Sequence, residues 1–137
     1  MNRIIAVANQ KGGIAKTTTS IHLAACAAKD GYKALLIDVD PQANASLGVG
    51  IKPIDFNYGA ADIFENPQID VEDAVVKTNY ENLYLIPSDQ SLARVEWEMW
   101  HDYKPEYSLI IKNKLADLKD DFWVIIDTPP SLGIFTI

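Results

Sequence analysis

The chain has 137 residues, a formal net charge of −7 and 48% hydrophobic residues, a size that suits one domain with its own core. The acidic balance argues against DNA binding by this stretch, because contacts to phosphates need clustered Lys and Arg. No segment approaches the roughly 18 consecutive apolar residues of a membrane span. The single cysteine, Cys26, cannot form an internal disulfide and fits a reducing cytoplasm.

A glycine-rich loop near the start of the chain indicates a phosphate site. The apolar run at residues 4–8 predicts a buried parallel strand, and residues 21–28 have the apolar spacing of a helix. Between them, Gly12 and Gly13 allow successive backbone N–H groups to converge on one anion, next to the positive end of the helix. Lys16 supplies a charge for phosphate, and the Thr17 hydroxyl can bind the Mg²⁺ that accompanies nucleotides.

The loop departs from the strict phosphate-loop pattern G-x-x-x-x-G-K-S/T. Gln10 and Ala15 stand where that pattern has glycine, and a methyl group at Ala15 is expected to crowd the phosphates. The loop has a second lysine, Lys11, before its glycine pair. In this form, K-G-G-x-x-K-T, it resembles the deviant Walker A loop of the ParA/MinD group of ATPases. The resemblance implies a nucleotide site made by Lys11, Gly12, Gly13, Ile14, Ala15, Lys16, Thr17 and Thr18, with Lys11 reaching the nucleotide of a partner subunit.

Two acidic residues follow the second apolar run. Residues 34–37 predict a strand that completes a right-handed βαβ unit and ends at Asp38-Val39-Asp40-Pro41-Gln42. A polar turn closed by proline is one interpretation of this segment. The other is a pair of carboxylates at the edge of the sheet where ligands bind, one supporting Mg²⁺ and one placing an attacking water. D-x-D-P-Q also resembles the ParA/Soj branch, which implies hydrolysis for Asp40 and metal support for Asp38.

A third motif comes near the end of the chain. Residues 122–126 are strongly apolar and are followed by Asp127, the Walker B arrangement, which carries a carboxylate to the same edge to hold a magnesium-bound water. The continuation D-T-P-P-S again resembles the family. We therefore predict a metal site of Thr17, Asp38 and Asp127, and catalytic roles for Lys11, Lys16 and Asp40.

The intervening chain predicts several smaller elements. Residues 43–59 suggest a surface loop, residues 60–64 a short helix, and residues 74–76 and 83–86 two strands. Ser88 is predicted to cap a helix that carries apolar Leu92, Val95 and Met99. We interpret Trp97, Trp100 and Tyr103 on this segment as packing residues, with an exposed partner surface as the alternative. Pro105 is predicted to open a further helix that reaches Leu118. His22 and His101 have no neighbours at metal spacing.

These patterns predict an α/β P-loop NTPase fold with a largely parallel sheet and helices on both faces. We expect residues 1–137 to form one P-loop ATPase domain, the N-terminal half of a longer family domain, truncated after the Walker B strand. By the resemblance, the missing half supplies further strands, adenine contacts and a basic DNA-binding face. Without it, the sheet is expected to expose an unpaired strand edge.

The resemblance implies hydrolysis of ATP with Mg²⁺ in a cytoplasmic homodimer that forms on ATP binding. The implied role is plasmid or chromosome partition, with a ParB-like DNA-bound partner, non-specific DNA contacts only through parts outside this chain, and no membrane. Three alternatives remain open: an ATP-binding switch or fragment without turnover, a MinD-like membrane-cycling ATPase, and a ligase or synthase that activates a carboxylate.

Overall fold

The structure is a computed structural model, and it describes residues 3–8, 14–102 and 104–129. Five strands form one sheet: β1 Arg3–Val7, β2 Ala34–Asp38, β3 Val76–Lys77, β4 Leu83–Ile86 and β5 Trp123–Asp127. The α-helices are α1 Ile14–Lys29, α2 Asn44–Gly48, α3 Ala60–Glu65, α4 Val71–Ala74, α5 Ser91–His101 and α6 Ile110–Ala116. Short 3₁₀ helices occupy Pro53–Asp55 and Pro105–Leu109.

The sheet is largely parallel. Its strand order is β1-β5-β2-β4-β3, and the first four strands are parallel while β3 is antiparallel to β4. In this arrangement the carboxyl ends of β1, β5, β2 and β4 lie along one edge, which we call the carboxyl edge. Asp127 is in register with Val7 on one side and with Asp38 on the other. The predicted α/β class and the convergence of the two acidic strand ends are confirmed.

Helices cover both faces of the sheet. The alternating side chains of β2 divide between two core clusters: Leu35 and Ile37 pack with residues of α3 to α6, whereas Ala34 and Leu36 pack with residues of α1 and α2. Every residue of β2 is buried, as its continuous apolar sequence predicts for a central parallel strand.

The prediction that the first strand is buried is wrong. β1 pairs only with β5 among the described strands, and its side chains stay largely exposed, 49% for Ile4 and 38% for Ile5. An apolar run shows that a strand has surface to bury, but the run does not show whether that strand is central or at an edge. Among the described strands, β1 therefore leaves one edge of the sheet unpaired.

Local predictions between β2 and β5 had mixed outcomes. The predicted short helix is α3. The predicted strand at residues 74–76 is wrong in its bounds, because Ala74 ends α4 and β3 has only Val76–Lys77. Ala74 is instead the buried last residue of the one-turn helix α4, and Val75, which follows it, packs against the core. The segment from Pro105 begins as a 3₁₀ helix and becomes α-helical only at Ile110.

The tryptophans of α5 do not pack inward. Leu92, Val95 and Met99 are buried on one face of α5, as predicted, but Trp97 and Trp100 are 61% and 49% exposed. Helical spacing alone does not separate two apolar faces of one helix, and here only one of them meets the core. The prediction for Tyr103 lies outside the described residues.

Candidate functional site

The candidate site lies at the carboxyl edge, where α1 begins beside the ends of β2 and β5. Asp38 and Asp127 are the last residues of these neighbouring strands and are opposite each other in register. Lys16 and Thr17 come from the first turn of α1. All four side chains are buried. Two carboxylates, one ammonium and one hydroxyl are therefore gathered at the edge where ligands bind in parallel α/β sheets.

Asp127 accepts hydrogen bonds from three side chains in the first two turns of α1. Its Oδ1 accepts hydrogen bonds from Lys16 Nζ at 3.0 Å and Ser20 Oγ at 2.8 Å, and its Oδ2 accepts one from Thr17 Oγ1 at 3.0 Å. Lys16 Nζ also donates to the carbonyl oxygen of Thr128. The ion pair between Lys16 and Asp127 is almost fully buried, so solvent screens it little.

Asp38 is buried without a cationic partner among the described residues. Its Oδ2 accepts hydrogen bonds from the backbone N–H of Ser46 at 2.9 Å and from Ser46 Oγ at 2.7 Å, and its Oδ1 accepts one from the N–H of Asp40 at 3.1 Å. Burial raises the pKa of Asp38 to about 6, and the nearby Asp127 charge adds to this, although the hydrogen bonds lower it. A buried carboxyl held in this way is suited to a bound cation.

We expect Asp38 to make folding less favourable as the pH rises from about 4 to 6. Its pKa in the folded chain is about 6 against an ordinary value of 3.8, so the unfolded chain loses this proton first. The free energy of unfolding should therefore fall by up to about 3 kcal/mol across that range. Urea denaturation at several pH values should show this fall in the parent and its loss in Asp38→Asn. The exposed Asp30→Asn is the control and should behave as the parent does. Equal pH dependence in parent and Asp38→Asn would contradict the expectation.

Asp40 is buried, and hydrogen bonds hold both its backbone and one oxygen of its carboxylate. Asp40 Oδ1 accepts a hydrogen bond from the N–H of Gln42 at 3.0 Å, and its carbonyl oxygen accepts one from Ser88 Oγ at 2.7 Å. Within the described part of the chain, Asp40 Oδ2 has no donor. Burial raises the pKa of Glu96 in α5, and the nearby negative charge of Asp40 raises it further. The Oδ2 atom that lacks a described donor suits Asp40 to orient a water molecule.

Three serines that the sequence analysis did not select as site residues hold these acids in place. Ser20 binds Asp127, Ser46 binds Asp38, and Ser88 links the two loops, because its N–H donates to Ser46 Oγ at 3.0 Å while its hydroxyl holds Asp40. The prediction that Ser88 caps a helix is wrong, since α5 begins three residues later at Ser91. Ser20 is one helical turn after Lys16, a spacing that was visible in the sequence. Nothing local marks Ser46 and Ser88.

The other predicted site residues are either exposed or outside the described part of the chain. Ala15 and Thr18 lie in the first turns of α1 and are exposed. Ile14 begins α1, and its side chain is not described. Lys11, Gly12 and Gly13 lie outside the described residues. The structure thus brings together Lys16, Thr17, Asp38 and Asp127, with Asp40 on the adjoining loop.

Comparison with known proteins identifies the family. Residues 2–137 match a family described as AAA domain. The chain belongs to this AAA-domain family. The sporulation initiation inhibitor protein Soj of Bacillus subtilis is 44% identical over 138 residues, which cover 100% of this chain and 53% of that protein. The resemblance to ParA/Soj ATPases that the three motifs indicate is confirmed, and this chain corresponds to their N-terminal portion.

Solved structures share the fold. A cobyrinic acid a,c-diamide synthase from Mycobacterium smegmatis, with a bound ATP analogue and magnesium, has a TM-score of 0.87 at 34% identity over 99% of this chain and 55% of its own. A candidate plasmid partition protein from Borrelia burgdorferi B31, bound to AMPPNP, has a TM-score of 0.77 at 30% identity over 97% and 56%. The chain spans about half the length of the curated relatives that it matches. In the described ranges, no helix is long and apolar enough to cross a membrane.

Proposed function

We propose that this chain is the phosphate-binding half of a ParA-like, Mg²⁺-dependent ATPase that dimerises on binding ATP and acts in plasmid or chromosome partition. The observation that carries the proposal is the buried cluster of Lys16, Thr17, Asp38 and Asp127 at the carboxyl edge. The nucleotide-bound state of two structural neighbours and the partition role of similar proteins support it.

The donor set fits magnesium rather than a softer metal. Thr17, Asp38 and Asp127 offer a hydroxyl and two carboxylates, which are the oxygen ligands that Mg²⁺ prefers. Among the described residues, no three His, Cys, Asp or Glu side chains come together as a complete cage. A magnesium ion here would keep waters and share phosphate oxygens with the nucleotide, as is usual for this ion. When bound, the ion would neutralise charge that develops on the phosphates.

The residues of the chain itself would carry out the remaining steps. Residues 11–18 would surround the phosphates with backbone N–H groups, and the Lys16 ammonium would leave Asp127 to bind them. Asp40 would orient the attacking water through Oδ2. Lys11 would neutralise the nucleotide of the partner subunit, so turnover would need the dimer. We also propose cytoplasmic action, a ParB-like DNA-bound partner, DNA contacts through parts outside this chain, and no membrane step.

The experiment that tests the proposal is titration calorimetry of the chain with Mg²⁺-ATP. Because Lys16 is the one cation of the cluster, Lys16→Ala should weaken binding by about a hundredfold or more, the size of effect expected when a charged contact to phosphate is lost from a buried site. The exposed Lys29→Ala is the matched control and should bind as the parent does. Circular dichroism should verify that each variant is folded. Absence of binding by a folded parent, or equal binding by folded Lys16→Ala, would contradict the proposal.

A synthase that activates a carboxylate is the second candidate. It is favoured by the likeness to the Mycobacterium smegmatis synthase, which is similar over nearly the whole chain. The two candidates differ in what turnover requires. An ATPase of the partition type should release phosphate from Mg²⁺-ATP without a second small-molecule substrate, whereas a synthase should release it only when a carboxylate acceptor and an amine donor are present.

A further inference from the structure

A cavity lies at the opposite edge of the sheet from the candidate site. It has a volume of about 430 Å³ and opens where β2, β4 and β5 begin. We call it the basal cavity and define it by Tyr84, Leu118 and Phe122 on its floor and Lys77 and Lys119 on its rim. It shares no residue with the carboxyl edge, and its size is within the range of small-molecule sites.

The floor of the basal cavity is apolar and fixed by the core. Phe122 and Leu118 are buried members of the larger core cluster, and Tyr84 packs against that cluster. The rings of Tyr84 and Phe122 meet edge to face, with centroids 5.7 Å apart and an interplanar angle of 85°. An apolar or aromatic group that entered the cavity would meet preformed ring surface and would release water from it.

The rim carries donors that have no partner within the described residues. Lys33 Nζ is 3.1 Å from Asp120 Oδ2, so that pair neutralises itself. The ammonium groups of Lys77 and Lys119 and the hydroxyl of Tyr84 make no hydrogen bond or ion pair in the described part of the chain. Glu72 is the one further acid of the lining, and its Oε1 accepts a hydrogen bond from the backbone N–H of Lys119 at 3.0 Å.

The charges of the lining favour an anion. The charges of Lys33 and Asp120 offset each other, which leaves the two rim lysines and the carboxylate of Glu72. The lining therefore has an excess of one positive charge, in a chain whose formal net charge is −7. The two unpaired ammonium groups and the phenolic hydroxyl would bind the charged end of an amphipathic anion, and the aromatic floor would bind its apolar end.

We propose that the basal cavity binds a small organic anion that has an aromatic body and one carboxylate or phosphate group. The ring of the ligand packs against Tyr84 and Phe122, and its anionic group accepts hydrogen bonds from Lys77, Lys119 and the Tyr84 hydroxyl. This site goes beyond the proposed function, because it uses neither the nucleotide nor any residue of the candidate site.

The test is titration of the ¹⁵N-labelled chain followed by NMR, with 3-phenylpropionate and phenyl phosphate as probes. Both should produce saturable shifts of the Val75, Lys77 and Lys119 amides. The neutral 3-phenylpropan-1-ol lacks the anion and inorganic phosphate lacks the ring, so each should bind about tenfold more weakly or not measurably. Absence of saturable shifts with both anionic probes, shifts confined to other regions, or equal binding of the neutral alcohol would overturn the proposal.

Variants separate the two ends of the site. The double variant Lys77→Gln/Lys119→Gln should weaken 3-phenylpropionate binding by about tenfold, the product of two partly exposed charge contacts. Tyr84→Phe keeps the ring contact with Phe122 and removes only the hydroxyl, so its binding should fall by a smaller factor of about three. The exposed Lys29→Gln is the control and should bind as the parent does. If the double variant binds as tightly as Lys29→Gln, the rim lysines do not form the site.

Discussion

Replacing Asp127 with Asn should lower the free energy of unfolding by about 3 kcal/mol, because it leaves the buried Lys16 ammonium without its carboxylate. The two side chains are 3% and 0% exposed and lie 3.0 Å apart. Urea denaturation at pH 7 measures the effect. Lys16→Met removes the stranded charge, so Asp127→Asn should cost at least about 2 kcal/mol less in that background, and this difference is the coupling energy of the pair.

A matched control for the Asp127 variant exists at the surface. Asp120 and Lys33 lie 3.1 Å apart, almost the same distance, but both side chains are exposed. Because water screens such pairs, Asp120→Asn should change the free energy of unfolding by less than about 1 kcal/mol. If Asp127→Asn costs the same with Lys16 and with Met at position 16, the buried ion pair does not contribute to stability in the way inferred.

Asp40→Ala should abolish ATP turnover while leaving nucleotide binding in place. Asp40 makes contacts with Gln42 and Ser88, and it has no hydrogen bond to Lys16 or Thr17. Removing its carboxylate therefore takes away the group proposed to orient water, and phosphate release should fall by at least about a hundredfold. The affinity for Mg²⁺-ATP, measured by calorimetry, should change by no more than about threefold.

The same variant tests the proposed dimer. Without hydrolysis, Asp40→Ala should accumulate as a dimer in the presence of Mg²⁺-ATP, which sedimentation velocity detects. Adding Lys11→Ala should return it to the monomer, because Lys11 is proposed to act across the dimer. The exposed Asp117→Ala is the control for both assays and should match the parent. Undiminished phosphate release by folded Asp40→Ala would refute its role, and a persistent dimer in the double variant would refute that of Lys11.

The sequence predicted the carboxyl edge well because three signals reinforce one another there. Apolar runs place β2 and β5 in the sheet, and parallel order brings Asp38 and Asp127 to the same edge. Lys16 and Thr17 reach the same edge because they lie in the first turn of α1, which begins beside these strand ends. Each of these inferences needs only the local sequence and the rule that parallel strands end together.

The predictions that failed depend on contacts between segments far apart in sequence. Ser88 holds Asp40 across 48 positions, and no local pattern distinguishes that role from a helix cap. The exposure of Trp97 and of Ile4 depends on which surfaces meet them, and a side chain's hydrophobicity does not carry that information. The sequence also gave no sign of the basal cavity, whose lining comes from elements spread over residues 33–122.

The edge position of β1 bears on the energetics of the proposed nucleotide site that follows it in the chain. Among the described strands, β1 is hydrogen-bonded on one side only, and the glycine-rich segment of the sequence begins two residues after β1 ends. Strands with few buried contacts open locally at a lower free energy than the core does, and amide hydrogen exchange reports that opening. A surface that covers β1 would suppress this opening, and so would a ligand bound at the proposed nucleotide site next to β1. The two events are then thermodynamically linked: each lowers the free energy required for the other.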